Sequence, residues 1–133
     1  MNILLFLTPK REVEYLFDDY SIRQALEKME YHRYTAIPIL NRSGEYIGTL
    51  TEGDILWYLK NKHNLNIFEA EDVKIMDIPR KHDNKPVSAS TKLSDIFDTA
   101  INQNFIPVID DEKHFIGIIT RKKIMNHLAS KND

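Results

Sequence analysis

Tyr34-Thr35-Ala36-Ile37-Pro38-Ile39-Leu40, a polar turn, and Tyr46-Ile47-Gly48-Thr49-Leu50-Thr51 come back later in the chain. They return as Asn104-Phe105-Ile106-Pro107-Val108-Ile109, a polar turn, and Phe115-Ile116-Gly117-Ile118-Ile119-Thr120. Pro107 follows Pro38 by 69 positions, and the same offset joins Gly48 to Gly117, Thr51 to Thr120, Ile55 to Ile124 and Leu59 to Leu128. Five landmarks at one offset define an internal repeat, so the chain is two copies of one supersecondary unit.

The unit reads outward from the apolar-Pro-apolar run. Ile37 to Leu40 is short and rich in β-branched residues, as expected of a strand covered on both faces. Asn41-Arg42-Ser43-Gly44 has turn composition, and Glu45 to Leu50 returns as a second strand. Thr51 is placed to cap a helix running to about His63, with Ile55, Leu56 and Leu59 inward. Upstream, Ser21 can cap a helix whose Ile22, Ala25, Leu26 and Met29 follow the spacing of one buried face. The second copy keeps this order. Ser90 or Thr91 starts a helix with Leu93, Ile96, Phe97 and Ala100 inward, and Phe105–Ile109 and His114–Ile119 are its strands. Thr120 then caps a helix carrying Ile124, Met125 and Leu128. The expected organisation is repeat 1 over 1–63, a connector over 64–72 and repeat 2 over 73–133. Each copy alone is a marginal core, so pairing the two sheets in one body is favoured.

Composition narrows the function classes. With 42% hydrophobic and 29% charged residues the chain reads as a globular protein, and a net charge of -2 gives no general pull toward nucleic acid or anionic lipid. The absence of cysteine removes disulfides and thiolate chemistry and suits a reducing cytoplasm, the expected location. Ile3 to Leu7 is too short for a signal core or a membrane span and is read as a short helix or strand covering a core. The five histidines lack metal-ligand spacing, and no nucleophile elbow, phosphate loop or dinucleotide-binding glycine signature occurs. No catalytic residue, metal or cofactor is therefore expected. The acidic runs at Asp18-Asp19 and Asp110-Asp111-Glu112 read as solvated turns, and Trp57 as a core or dimer anchor.

The duplicated apolar-Pro-apolar strand and the Gly-x-x-Thr-x-x-Asp segment from Gly48 to Asp54 resemble a tandem pair of CBS domains, often called a Bateman module. The resemblance implies an α/β (α+β) fold of two βαββα repeats related by a pseudo-two-fold axis, assembled as a disc-shaped dimer. It also implies a regulatory role and an adenine-nucleotide ligand in the clefts between repeats. Tyr34 to Pro38, Asp77-Ile78-Pro79-Arg80 with His82, and Gly117 to Lys122 further resemble small stand-alone two-CBS receptors for cyclic di-AMP from Gram-positive bacteria.

Two clefts of different chemistry follow from the resemblance. In one, Thr51 and Asp54 would read phosphate and ribose, joined by Ile78, Arg80, His82, Phe105 and Ile106. A carboxylate can accept from both hydroxyls of a vicinal diol; the same Thr-x-x-Asp is also a helix capping box. In the other copy Lys123 stands where Asp54 would be, so the ribose acceptor is missing. Arg121-Lys122-Lys123 instead opens a helix, where cations oppose the dipole and an anion would relieve them. That cleft would gather Glu14, Tyr15, Leu16, Tyr34, Thr35 and Ala36 with Thr120, Arg121 and Lys122, and suits a cyclic dinucleotide. Tyr34 and Phe105 are candidates to stack on purine rings, or simple core. The expected function is a non-catalytic sensor of cyclic di-AMP, or of AMP, ADP or ATP, controlling an unidentified protein in trans; the alternative is a ligand-free dimerising scaffold.

Overall fold

The structure is a computed structural model and describes residues 2–131. In chain order its elements are β1 (Thr8–Pro9), β2 (Leu16–Phe17), α1 (Ile22–His32), β3 (Ala36–Leu40), β4 (Tyr46–Thr51), α2 (Glu52–His63), α3 (Ile67–Ala70), β5 (Val87–Ser88), α4 (Phe97–Asn102), β6 (Phe105–Ile109), β7 (Phe115–Thr120) and α5 (Arg121–Lys131). The two copies are thus β2-α1-β3-β4-α2 and β5-α4-β6-β7-α5, the βαββα order expected. The chain forms two compact units, Tyr15–Ser43 with Ile47–Asp83, and Met1–Glu14 with Gly44–Tyr46 and Asn84–Asp133.

In the first of these, the first-repeat unit, the strands lie in the order β2-β3-β4, with β2 parallel to β3 and Leu16 beside Ile39. Ser21 closes the start of α1 reciprocally: its hydroxyl accepts from the Gln24 amide at 3.3 Å and the Gln24 side chain accepts from the Ser21 amide at 2.8 Å. The helix ends at Arg33, a left-handed residue with φ 60°. Ile22, Ala25 and Met29 are buried against Ile37, Ile39 and Leu50, with Ile55 and Leu59 from α2 closing the core. Each of the buried isoleucines and leucines contributes roughly 1.5–3 kcal/mol relative to exposure. Leu56, expected inward, is 49% exposed, because Ile55 and Leu59 already define the buried stripe of α2. Past the left-handed pair Asn64-Leu65, the connector holds the short α3, which buries Ala70.

The second-repeat unit has strand order β1-β7-β6-β5, with β1 antiparallel to β7, β6 antiparallel to β7 and β5 parallel to β6. Its core joins Leu93, Ile96, Ala100, Ile106, Val108, Ile119 and Ile124 to Ile3, carried by a 3-10 turn over Ile3–Phe6. The helix expected to start at Ser90 or Thr91 begins later, as a 3-10 turn over Leu93–Asp95 followed by α4. The Ser90 hydroxyl lies 3.0 Å from that of Ser88, and the Ser88 hydroxyl accepts from the Ser90 amide, so these groups build the turn after β5 rather than a cap. Met125, expected inward, is 58% exposed.

The repeated prolines fit their strands for one reason. β2 pairs from Ile39 and β5 from Val108, one residue beyond each proline, so the missing N–H faces no partner on that side.

The compact units cut across the repeat boundaries at 63 and 73, because each repeat's leading arm folds with the other repeat's strands. The first arm brings Thr8 and Pro9 onto β7 at Ile118 and Gly117. Gly117 has φ 154°, and a Cβ there would strike the Thr8 backbone carbonyl. The second arm brings Arg80 and Asp83 to Gly48, where a Cβ would lie 2.8 Å from the Asp83 carboxyl carbon and 2.9 Å from Arg80 Nε. Glycine recurs at one offset because a chain segment crosses close to the strand at each position. Among the described residues no helix is long and apolar enough to cross a membrane.

Candidate functional site

The Thr51–Asp54 start of α2 is a complete capping box. Thr51 Oγ1 accepts from the Asp54 amide at 3.0 Å, and Asp54 Oδ2 accepts from the Thr51 amide at 3.1 Å. Asp54 Oδ1 also accepts from the Lys81 amide at 3.3 Å, so this carboxylate both ends the strand and fixes the second arm. Asp54 is 9% exposed, which orients it tightly, and each oxygen retains acceptor capacity beyond these bonds.

Beside it the Arg80 guanidinium grips Asp83 through Nε–Oδ1 at 2.8 Å and Nη2–Oδ2 at 3.2 Å. Asp83 Oδ1 also accepts from the Thr49 amide at 3.0 Å. Burial pushes the Asp83 carboxyl up, but the Arg80 and Thr49 hydrogen bonds and the Arg80 charge outweigh it and leave it below the usual carboxylate range. Asp54, Trp57, Tyr58, Arg80 and Lys81 border one hollow of about 270 Å³. Ile78 is buried and His82 exposed. Trp57, expected as a core or dimer anchor, is 57% exposed on the wall of this hollow and does not belong to the core. Helical spacing from Asp54 was the signal that could have placed it there.

On the same unit, Tyr34 stacks on His32 with ring centroids 5.7 Å apart, and Thr35 accepts from the Glu52 amide through its carbonyl. Tyr34 and Thr35 line a second hollow with Met29, Glu30 and Ile67. Lys28 donates to the Tyr15 carbonyl and sits 5.2 Å from the centre of its ring. Leu16 is fully buried and Ala36 partly so. The acidic turn at Asp18-Asp19 is tied down by Arg42, which contacts Asp19 at 2.7 Å and whose hydrogen bond lowers the Asp19 carboxyl.

The second-repeat unit treats its basic helix start differently. Thr120 Oγ1 accepts from the Lys123 amide at 3.2 Å, but Lys123 returns no bond and instead donates from Nζ to Thr8 Oγ1 at 2.8 Å. Arg121 turns away from its own helix. Its Nε donates to the Ala100 and Gln103 carbonyls at 2.9 and 3.2 Å, and its Nη2 to the Ile101 carbonyl at 3.3 Å. A cation there neutralises the carbonyl end of α4, so Arg121 is in large part a C-terminal cap. Lys122 is exposed, with no bond to its ammonium among the described residues. Phe105 and Ile106 are 6% and 1% exposed, and their side chains serve the core. Of the residues named from the sequence, Leu16, Ile78, Phe105 and Ile106 therefore keep mainly backbone groups for any ligand. Glu14 lies at the end of the first arm, in this second-repeat unit. The Asp110 carboxylate accepts from the His114 and Glu112 amides, which lowers it and marks a structural turn.

A family model for the CBS domain matches residues 6–61 and 75–130. The chain is 29% identical over 113 residues to cyclic di-AMP receptor B of Bacillus subtilis (strain 168), covering 81% of this chain and 73% of that protein. The crystal structure of CbpB in complex with c-di-AMP superposes with a TM-score of 0.85 at 25% identity, over 98% of this chain and 85% of that one. A CBS domain protein from Streptococcus pneumoniae TIGR4 gives 0.84 at 28% identity, over 96% and 86%.

Proposed function

From the premise that the chain belongs to the CBS-domain family and carries that domain twice, we propose that it is a non-catalytic sensor of an adenine nucleotide. Cyclic di-AMP is ranked ahead of AMP, ADP and ATP, and the bound state controls a partner protein in trans from the cytoplasm, as a homodimer. The observation that carries the ligand class is the likeness to cyclic di-AMP receptor B and to the c-di-AMP complex of CbpB. The dimer is supported by the exposed apolar side chains of Leu56, Ile101 and Met125. A role in trans requires that the partner distinguish ligand-bound from ligand-free protein.

Within this reading the residues proposed for ribose reading are Thr51, Asp54, Ile78, Arg80 and His82 on the first-repeat unit, and Phe105 and Ile106 on the second-repeat unit. The residues proposed for phosphate reading are Tyr15, Leu16, Tyr34, Thr35 and Ala36 on the first-repeat unit, and Glu14, Thr120, Arg121 and Lys122 on the second-repeat unit. Because Arg121 already holds three carbonyls, Lys122 is the cation to vary when testing phosphate recognition. A thermal-shift screen of cyclic di-AMP, AMP, ADP and ATP tests the proposal, since a ligand at 100 times its Kd adds about 2.7 kcal/mol. Cyclic di-AMP should give the largest shift, reduced by Lys122→Ala and spared by Asp54→Asn. If no adenine nucleotide raises the midpoint, the sensor reading fails and the scaffold reading takes its place.

A further inference from the structure

The hollow bordered by Tyr34 and Thr35 combines apolar and acidic side chains. Leu26 and Met29 of α1 and Ile67 of α3 give it an apolar lining, and Glu30, Arg33 and Glu52 add charge. All belong to the first-repeat unit, and the volume is about 440 Å³. Glu30 and Glu52 are exposed and have no basic partner among the described residues, so with Arg33 counted one carboxylate is in excess. The second repeat is an internal control. Leu26, Met29 and Glu30 correspond there to Phe97, Ala100 and Ile101, and Glu52 to Arg121. Those four line a hollow of about 360 Å³ that holds no carboxylate, and Arg121 is engaged by backbone carbonyls. A copy with the same strand and helix order thus does without both acids, and Ile67 comes from a connector that occurs once. None of the three is required by the fold. Glu52 opens α2, where the helix dipole favours an acid, but Glu30 lies in the last turn of α1, where the dipole opposes one. A cation in the hollow would relieve Glu30.

We infer that this hollow docks a segment of the partner protein through an arginine or lysine side chain. The aliphatic stem of such a residue packs on Leu26, Met29 and Ile67, and its charged head meets Glu30 and Glu52. Tyr34 adds an aromatic ring, which also favours a cation. The same carboxylates repel phosphate, so a nucleotide is not the occupant, although Tyr34 and Thr35 also figure in the phosphate-reading set. Next to the lining residues in the chain, Tyr31 and Phe68 are 82% and 81% exposed. That is apolar surface a free amine would leave uncovered and a polypeptide would bury. The inference rests on the trans-acting part of the reading above, needs no nucleotide, and names the chemistry by which the partner is held.

The probes are three fluorescein-labelled helical peptides of about 15 residues, identical apart from one arginine, lysine or glutamate set among leucines. Each is titrated with the full chain and followed by anisotropy. The arginine and lysine versions should bind at least about 10-fold more tightly than the glutamate version, and raising the salt to about 0.5 M should weaken them several-fold. Glu30→Gln with Glu52→Gln should cost the arginine peptide about 10-fold or more in affinity. Glu27→Gln, which removes a carboxylate that α1 pairs with Arg23 outside the hollow, should leave the affinity unchanged. Equal binding of the arginine and glutamate peptides, or full affinity in the double variant, overturns the inference. A double variant that alters the sedimentation of the protein and not its affinity for the peptide assigns the face to a second copy, and overturns it too. If no peptide binds while an adenine nucleotide still raises the melting midpoint, the docking site falls and the sensor reading stands.

Discussion

Gly48–Asp54 and Gly117–Lys123 occupy the same place in the two repeats, yet they solve different problems. The first ends in an acidic capping box whose carboxylate also holds the Lys81 amide, with an arginine–aspartate pair from the arm lying over Gly48. The second ends in three basic residues, two of them engaged elsewhere: Arg121 on the carbonyls closing α4 and Lys123 on Thr8. In the first copy side chains of the arm meet the strand; in the second the arm's backbone does. Duplication therefore preserved the path of the chain and released the chemistry at each helix start.

The glycines test that contrast most severely. Gly117→Ala should cost about 3 kcal/mol or more, because the left-handed φ is strained for alanine and the Thr8 carbonyl cannot yield without detaching β1. Gly48→Ala meets side-chain atoms of Asp83 and Arg80 at an ordinary φ and should cost about 1 kcal/mol. Urea titrations of the two variants measure the difference, and equal losses would erase the distinction between backbone and side-chain crossings.

The caps come next. Asp54→Ala removes an acceptor for two amides and should lower stability by about 1–2 kcal/mol. Lys123→Ala loses one exposed bond to Thr8 and should change stability by no more than about 0.5 kcal/mol.

The smallest effect is one of pH. The Asp83 carboxyl is lowered in the folded protein, so its contribution is full above its unfolded value and fades as pH falls through the folded value, below about pH 4. Asp83→Asn should therefore flatten the acid limb of the stability curve and leave its slope near pH 7 unchanged. An unaltered acid limb would mean that the Arg80–Asp83 pair contributes no pH-dependent stability.

Much of this arrangement was legible in the residues. The offset of 69 gave the repeat, the apolar-Pro-apolar runs gave β3 and β6, and Ser21 and Thr51 announced their helices because capping is decided within four residues. What escaped was non-local. The strands β1, β2 and β5 are two residues long and exist only through their neighbours, which no periodicity can announce. Arg121 looked like a phosphate ligand because its helix position was visible and its carbonyl partners twenty residues upstream were not. Leu56 and Met125 fit the spacing of an inner face, yet one turn of helix has room for fewer buried side chains than the pattern offers.

The crossing of the arms carries a consequence for ancestry. A forebear with a single copy would have had a leading segment with no seat on its own strands, and a glycine furrow with nothing to fill it. Two such molecules could each complete the other by trading segments, a reciprocal swap of the kind that makes dimers at little cost. Fusing the two genes would have turned that exchange into a covalent one, fixing the stoichiometry and freeing each half to acquire its own ligand chemistry.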